Sequence, residues 1–368
     1  MSSPSSPERQ YWFAWSKISR VGPVLLQRFQ QHFGSLERAW HALPLELAQV
    51  EGVGTYVLDA IEQGRSKLKP DRLLAEHEEQ NPHFWTPADS DYPRLLLEIP
   101  NYPLVLYYQG EVKSWENQGI APSIGIVGTR DPSEYGRRWT KRITHALVDQ
   151  GFTIVSGLAD GIDAEAHRAC VDRGGRTIAV LGTGVDVVYP HRNRDLYQHI
   201  LQTGLVMSEY PQGTPPDRVH FPQRNRIVAG LCRAVLVMEA PKKSGALITA
   251  HIANEYNREV YILPGSLDNP RSRGCLELLS QGAQAILDED NLLELLGAIP
   301  ALDVPSSTPP DLDPDLAKVL EVLNFEPISL DRIVQDTQLP MPIVSSALLQ
   351  LELMALVSQV PGMRYQRC

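Results

Sequence analysis

Two short apolar runs in the middle of the chain each lead into a loop that combines glycine with polar residues. Residues 124–127 are followed by Gly-Thr-Arg at 128–130, and residues 152–155 are followed by a loop that begins with Ser156 and Gly157. Glycine lets backbone amides approach a ligand closely, and the guanidinium of Arg130 adds a forked cation that suits phosphate. The spacing predicts an anion-binding crevice at the ends of neighbouring parallel strands.

A second candidate anion site follows the apolar run 234–238. The stretch PKKSG at 241–245 places Lys242, Lys243, Ser244 and Gly245 at the predicted start of a helix, whose amino terminus attracts anions. The alternative interpretation is an ordinary helix cap with two solvated lysines. The long phosphate-wrapping loop that triphosphate hydrolysis needs is missing here.

The run HFPQRNR at 220–226 contains arginine and phenylalanine, residue types that often contact nucleic acids. Arg224 and Arg226 are two positions apart and therefore do not share a helix face. We expect at least one of them to turn toward the crevice, with the other structural or in contact with a neighbouring loop. Phe221 offers a surface for base stacking, although a residue at a helix start can equally pack there as a hydrophobic staple.

Nucleotide-cofactor and catalytic signatures are missing from the sequence. Gly182 and Gly184 follow an apolar run, but Val187 stands where a GxGxxG fingerprint needs its third glycine, and GxxxxGK[ST] does not occur. Asp163 and His167 are four residues apart, and we interpret them as local packing and hydrogen bonding because no nucleophile-elbow sequence accompanies them. No His, Asp and Glu spacing indicates a metal. We therefore expect no catalytic residue, no cofactor and no metal.

The elements that must position these loops alternate between strand and helix signals. Strands are predicted at 124–127, 152–155, 177–181, 205–207, 234–238 and 259–263, and helices at 134–150, 162–173, 193–203, 222–232, 244–257 and 273–281. Near-continuous apolar strands separated by helices are typical of a doubly wound parallel sheet covered on both faces. The fold class predicted for residues 119–296 is therefore α/β.

The flanking regions have a different composition. Residues 1–68 contain two similar units, ISRVGPVLLQRF and LAQVEGVGTYVLDAI, that resemble a SAM-like or helix-hairpin-helix domain; such hairpins can meet a DNA phosphate, or the helices can serve packing and protein contacts. Residues 69–118 form a proline-rich connector that we expect to pack on the α/β domain. The connector and the α/β region together make up the predicted domain 69–296. A linker at 297–314 leads to helices and a strand pair at 315–368 that suit a winged helix. Its third helix holds no Lys or Arg, which favours protein contacts over DNA.

Composition and charge bound the function. The 368 residues are 43% hydrophobic and 21% charged, with four scattered cysteines that suggest free thiols. No signal core or long apolar stretch occurs, so we expect a cytoplasmic protein without membrane contact. The net charge is −10, but residues 119–300 carry 19 Lys and Arg against 20 Asp and Glu. A basic crevice on an acidic protein is compatible with this distribution.

Several long motifs together resemble the DNA-processing protein A (DprA, or Smf) family. They are GIVGTRDPSEYG, IVSGLADGIDAEAH, LGTGVDVVYPHRN, SEYPQGTPP, FPQRNRIVAGL, EAPKKSGALITAHIANEYNREVYILPG and RGCLELLSQGA, in order across residues 90–290. The resemblance implies an extended Rossmann fold and a homodimer. It also implies that the protein binds single-stranded DNA, loads RecA onto it during natural transformation, and displaces or accommodates single-strand-binding protein. The resemblance implies no enzymatic step.

The residues of this chain that match the DNA contacts of the family's motifs are Arg130, the Ser156–Gly157 loop, Arg224, Arg226 and the stretch 242–245. The resemblance implies that they contact DNA. Two other hypotheses remain at this point. One is a Rossmann-type enzyme acting on a phosphorylated nucleotide ligand, although the stretch 263–268 lacks a PGGxGT-type loop. The other is a regulatory or scaffolding protein that acts through its flanking domains.

Overall fold

The computed structural model describes residues 8–297, 314–323, 328–353, 357–360 and 364–367. The chain divides into two compact units, Met1–Pro300 and Ala301–Cys368. The predicted boundary at 68/69 falls inside the first unit, where aromatic side chains from both sides of it pack together. Trp12 lies 6.3 Å from Tyr102 and Phe13 lies 5.7 Å from Phe84, measured between ring centroids.

Six helices precede the sheet in the described part of the first unit. Helices α2 and α5 follow the two repeated glycine hairpins. They begin directly after Gly22 and Gly54, as the two repeated units indicate. The bounds are α1 Glu8–Ser16, α2 Pro23–Phe33, α3 Leu36–His41, α4 Pro44–Leu47, α5 Thr55–Lys67 and α6 Pro70–Gln80.

The connector is more regular than its proline content suggests. It contains β1 Phe84–Trp85, α7 Arg94–Leu97, β2 Leu106–Gly110 and α8 Ser114–Asn117. Strand β2 pairs antiparallel with β1 on one side and with β6, Leu205–Ser208, on the other. The connector therefore extends the main sheet.

Among the described residues, the main sheet contains nine strands in the order β1-β2-β6-β5-β4-β3-β7-β8-β9. From β6 to β9 all neighbours are parallel. The remaining strands are β3 Ser123–Val127, β4 Thr153–Ser156, β5 Thr177–Leu181, β7 Ala234–Val237, β8 Glu259–Ile262 and β9 Gln284–Ala285. The doubly wound α/β prediction is confirmed.

Helices cover both faces of the sheet, so the interior strands are buried along their whole length. This explains why these strands consist of apolar and β-branched residues without alternation. The helices are α9 Glu134–Asp149, α10 Ile162–Asp172, α11 Arg194–Thr203, α12 His220–Leu231, α13 Gly245–Glu255, α14 Arg273–Ser280 and α15 Glu289–Leu296.

The strand order reverses between β3 and β7. The chain runs outward from β3 through β4 and β5 to β6, then returns to place β7 on the other side of β3. In open α/β sheets a crevice opens beyond the carboxyl ends of the strands at such a switch point. The loops at 128–133 and 238–244 meet there.

The second unit has its own core, which includes Val319, Ile333, Val344, Leu348 and Leu351. Helices α16 Pro314–Val322, α17 Leu330–Thr337 and α18 Met341–Leu353 accompany strands β10 Ile328–Ser329, β11 Val357–Val360 and β12 Arg364–Arg367. The strands form an antiparallel sheet in the order β10-β12-β11. This is the arrangement of a winged helix, as predicted for residues 315–368.

No helix in the described part of the chain combines the length and the apolar character needed to cross a bilayer.

Candidate nucleic-acid interface

A cleft of about 690 Å³ opens at the switch point of the sheet. The loops after β3, β4, β5, β6 and β7 all contribute to its walls, so one edge of the sheet supplies every lining segment. The lining residues are Val127–Arg130, Ala159, Asp163, Tyr189, Arg218, Phe221, Pro222, Arg224, Asn225, Ser244–Ala246, Ile248 and Thr249.

A cation and two aromatic rings form one wall of the cleft. The Arg130 guanidinium carbon lies 5.8 Å from the centre of the Phe221 ring, and Arg130 is exposed. Tyr189, 40% exposed, lies 5.5 Å from Phe221 between ring centroids. A Cβ atom on Gly182 would approach the Phe221 ring to 2.9 Å, so glycine there lets the ring settle against the β5 loop. This wall combines what a nucleotide needs: a phosphate-binding cation and a stacking surface.

The opposite wall is the amino terminus of α13. Ser244 is the N-cap residue, and its hydroxyl accepts a hydrogen bond from the Ala246 amide at 3.3 Å. Gly245 is exposed at the first position of the helix and faces no atom within 4 Å of its missing side chain. Helix α13 extends for 11 residues, and the partial positive charge at its start favours an anion in the cleft. The predicted placement of Ser244 and Gly245 is therefore observed.

Ser156, Gly157 and Arg224 form the floor beneath the cleft. The Ser156 hydroxyl donates to the Ile126 carbonyl at 2.5 Å and is fully buried. Arg224, 5% exposed, donates to the Gly157 carbonyl at 2.6 Å and also to the Val180 carbonyl. A Cβ on Gly157 would lie 2.5 Å from the Arg224 guanidinium. The glycine therefore makes room for Arg224, and the functional groups of all three residues are engaged within the protein.

Burial shifts the ionisation of the groups in this floor. Desolvation lowers the pKa of Arg224 to about 10 and raises the pKa of Asp163, although the charge of Arg224 opposes the latter shift. The Asp163 carboxylate accepts from the Gly157 amide at 3.2 Å. His167 Nδ1 lies 2.7 Å from the Thr177 hydroxyl, and burial lowers the pKa of His167 to about 3. Asp163 and His167 thus have structural contacts, as predicted.

Arg226 does not share the cleft with Arg130. It forms an ion pair with Glu209 and lines a separate cavity of about 320 Å³, together with Lys17 and Gly22 of the first helical hairpin. Lys242 and Lys243 are exposed beside the start of α13, but they line a third depression of about 240 Å³ with His251 and Glu277. Arg130, Arg226 and the two lysines, all predicted DNA contacts, therefore lie in three different depressions.

The anion position at the amino terminus of α9 is occupied by a side chain of the protein itself. The Glu239 carboxylate accepts hydrogen bonds from the Ser133 amide and hydroxyl, both at 2.7 Å, directly at the start of this helix. A Rossmann fold commonly holds a phosphate at this helix start. The start of α9 therefore offers no free phosphate position, and Arg130 is the charged residue among Val127–Arg130, the part of this loop that lines the cleft.

Sequence reasoning missed a cluster of arginines adjoining the cleft. Arg137, Arg168 and Arg192 surround a depression of about 140 Å³ that has Arg130 on its rim. Arg192 pairs with Asp160, and Arg168 donates to the Asn193 side chain at 3.1 Å. Arg137 lies in the first turn of α9, after the first glycine-rich loop, and Arg168 lies in the second turn of α10, after the second. The available signal was that both helices begin at the same edge of the sheet, because each follows a parallel strand.

In the described part of the chain, no group of three or more His, Cys, Asp or Glu side chains is arranged to hold a metal ion. Cys170, Cys232 and Cys275 are free and buried. Desolvation raises the pKa of each of these thiols.

Comparisons with known proteins agree with this architecture. Residues 83–297 match the family described as DNA recombination-mediator protein A, and residues 304–363 match the DprA winged helix domain. The chain is 52% identical to Protein Smf of Synechocystis sp. over an alignment of 396 positions, which covers 99% of this chain and 100% of that protein. It is 39% identical to Protein Smf of Escherichia coli, with 77% of each chain covered.

Solved structures of two DNA processing proteins resemble the chain. The X-ray structure of DNA processing protein A from Streptococcus pneumoniae has a TM-score of 0.67 and 33% identity, and the match covers 77% of this chain and 97% of that one. The DNA processing protein A of Helicobacter pylori, studied for its unique single-stranded DNA binding mode, has a TM-score of 0.52 and 30% identity, with 58% and 95% covered.

Fold and site together define an α/β protein of extended Rossmann type, with an arginine- and aromatic-lined cleft at the switch point of its sheet and a winged helix in its second unit. Within that class, the chain belongs to the DNA recombination-mediator protein A family, also named DprA or Smf.

Proposed function

We propose that this protein binds single-stranded DNA along the cleft and loads the RecA recombinase onto it during natural transformation. The observation that carries the proposal is the exposed Arg130 guanidinium above the Phe221 ring, opposite the amino terminus of α13. A cation beside an aromatic face binds a phosphate and an adjoining base at once. Duplex DNA keeps its bases stacked inside, so such a wall favours a single strand.

The proposal extends the site from one nucleotide to a strand. Arg137, Arg168 and Arg192 lie on one side of Arg130, in a depression that also holds Asp160 and Glu165, and Lys242 and Lys243 lie on the other side, beside the start of α13. A polymer with regularly spaced phosphates can reach all of these groups, whereas one small ligand cannot. The binding mode for which the Helicobacter pylori relative was studied supports the same conclusion.

The competing proposal is an enzyme that acts on a phosphorylated nucleotide. It would need an anion position close to the first loop, and Glu239 already occupies the start of α9. Release of free base from a nucleoside monophosphate by the purified protein would support this alternative.

Anisotropy of labelled oligo-dT and of a matched duplex tests the binding proposal. We expect much tighter binding of the single strand, with an affinity that falls as salt rises. Equal affinity for the duplex contradicts the single-strand proposal.

The RecA proposal needs a separate assay. RecA filament formation is followed on oligo-dT coated with single-strand-binding protein, with and without the protein. We expect faster filament formation in its presence, and no acceleration rejects the loading role while leaving the binding role intact. The resemblance also implies a homodimer, which sedimentation measures directly; two linked sites on one strand would gain avidity.

A further inference from the structure

Glu239 is a buried carboxylate directly behind the loop that carries Arg130. The residue is 1% exposed, and the three hydrogen bonds that its carboxylate accepts among the described residues come from neutral donors. Burying a carboxylate is costly unless hydrogen bonds compensate it. The cost suggests a role beyond filling space, which an apolar side chain would perform more cheaply.

Glu239 holds both ends of the loop at 129–133. Its backbone carbonyl accepts from the Thr129 amide at 2.6 Å. Its carboxylate accepts from the Ser133 amide and hydroxyl at 2.7 Å each. Arg130 lies between these anchors and follows the first of them directly. The direction in which Arg130 leaves the backbone is therefore set by two attachments to one residue.

The segment at 264–271 holds the same loop from its outer side. Arg271 Nε donates to the Asp131 carbonyl at 2.7 Å, and its guanidinium forms an ion pair with the Asp131 carboxylate. Asn269 Nδ2 donates to Glu239 Oε1 at 3.3 Å. The loop is thus clamped between Glu239 inside and Arg271 outside.

Close packing leaves little freedom at the inner anchor. A Cβ atom on Gly136 would lie 2.4 Å from Glu239 Oε2, so the carboxylate fits directly against the first turn of α9. A shorter side chain at 239 would leave the Ser133 amide without its acceptor and release the loop.

We propose that Glu239 is a positioning residue for single-stranded DNA binding, which keeps the Arg130 guanidinium above the Phe221 ring, and that Arg271 supports it from outside. This inference rests on the proposed function of the cleft.

A double-variant cycle on the full-length protein tests the role, with anisotropy of labelled oligo-dT at several salt concentrations. Arg130→Ala and Glu239→Ala should each weaken binding by about tenfold, as expected when a charged hydrogen bond is lost. The double variant should bind no more weakly than Arg130→Ala alone, because Glu239 acts through Arg130. Glu239→Gln should recover most of the affinity, since its amide oxygen still accepts from the Ser133 amide.

Losses that multiply in the double variant, or wild-type affinity in a folded Glu239→Ala protein, overturn the positioning role. If thermal melting shows that Glu239→Ala does not fold, Arg271→Ala decides. It should weaken binding by about threefold, in line with an exposed ion pair, and this loss should vanish in the Arg130→Ala background; unchanged affinity rejects the inference. Wild-type affinity in Arg130→Ala would instead reject the proposed DNA site itself, and the positioning role with it.

Discussion

At the scale of single residues, the same side-chain type serves three purposes in this protein. Arg130 is exposed and faces the cleft, Arg224 is buried in its floor, and Arg226 is paired with Glu209 in a different cavity. Of these three arginines, only Arg130 can exchange water for a phosphate without first breaking hydrogen bonds or an ion pair within the protein. An arginine in a recognisable sequence motif is therefore not by itself evidence of a ligand contact.

This difference predicts unequal effects of two arginine substitutions. Arg130→Ala should weaken oligo-dT binding and lower the slope of log affinity against log salt by about 0.7, the value for one phosphate contact on a single strand. Arg226→Ala is the matched control and should leave that slope unchanged, because its charge is neutralised by Glu209. Both are measured by anisotropy from low to moderate salt. The reverse order of effects would move the DNA path to the cavity beside the first hairpin.

His167 predicts how stability depends on pH. Its ring is fully buried, and desolvation lowers its pKa to about 3, below the ordinary value of 6.5. Between these two values the unfolded chain binds a proton that the folded protein does not, so stability falls as the pH drops from about 6.5 toward 3. The slope that this group contributes is up to about 1.4 kcal/mol per pH unit.

Urea denaturation at a series of pH values between 7 and 4.5 measures this slope. His167→Asn retains an acceptor or donor close to Nδ1 and removes the titrating ring, so its unfolding free energy should depend less steeply on pH than that of the wild type. Parallel pH profiles for the two proteins would assign the acid sensitivity to other groups, such as His77, whose pKa burial lowers to about 4.

At the scale of elements, the sequence predicts the α/β framework closely. Each of the six predicted strands is present within one or two residues of its predicted bounds, because a strand buried on both faces must be apolar throughout. The two-residue strands β1 and β9 were not predictable, since they are too short to show a pattern. Helix α12 begins at His220, two residues before its predicted start.

The sequence predicts which loops line the cleft, but it predicts only some of the residues that face it. All the loops proposed for the cleft reach its edge of the sheet, because parallel topology brings strand ends together. What a loop residue does there depends on distances that one sequence does not contain. The glycine at 157 was expected to admit a ligand, and it admits Arg224. Glu239 gave no local signal, because its partners Ser133 and Asn269 are distant along the chain.

The turn before α13 carries a prediction at this scale. Lys242 and Lys243 are exposed, and among the described residues the structure shows no hydrogen bond or ion pair of their side chains. Replacing both with alanine should therefore leave the melting temperature unchanged. If the strand passes the start of α13, the double variant should weaken oligo-dT binding and reduce the salt slope by about 1.4, twice the value for one phosphate. An unchanged slope would confine the strand to the cleft and the arginine cluster on the other side of Arg130.

At the scale of the whole molecule, the chain is built as two compact units, and the described residues that line the cleft belong to the first. The helices before the sheet are part of that unit. Arg9 donates to the Phe84 carbonyl at 2.9 Å, and Tyr107 Oη lies 2.9 Å from His77 Nε2. Together with the aromatic packing across residue 68, these contacts attach the helices before the sheet to β1, β2 and the connector. That side of the sheet is therefore covered by these helices.

Two truncations should therefore behave in opposite ways. A protein ending at residue 300 should fold and bind oligo-dT with wild-type affinity, because the second unit has a separate core and the described residues that line the cleft all belong to the first unit. A protein beginning at residue 70 should be insoluble or strongly destabilised, because it exposes the surface around Tyr102 and Phe84 that Trp12 and Phe13 cover. Burial of large aromatic side chains contributes about 2 to 3 kcal/mol each, and a domain has only about 5 to 15 kcal/mol in total.

Thermal melting and anisotropy of the two truncated proteins decide between these outcomes. A folded protein from residue 70 onward with full DNA affinity would show that the helices before the sheet are a separable domain, with the boundary near residue 68. Weaker binding by the protein that ends at residue 300 would instead give the winged helix a direct part in DNA binding. That part would have to come from outside α18, since the described side chains of this helix include no Lys or Arg to meet a phosphate.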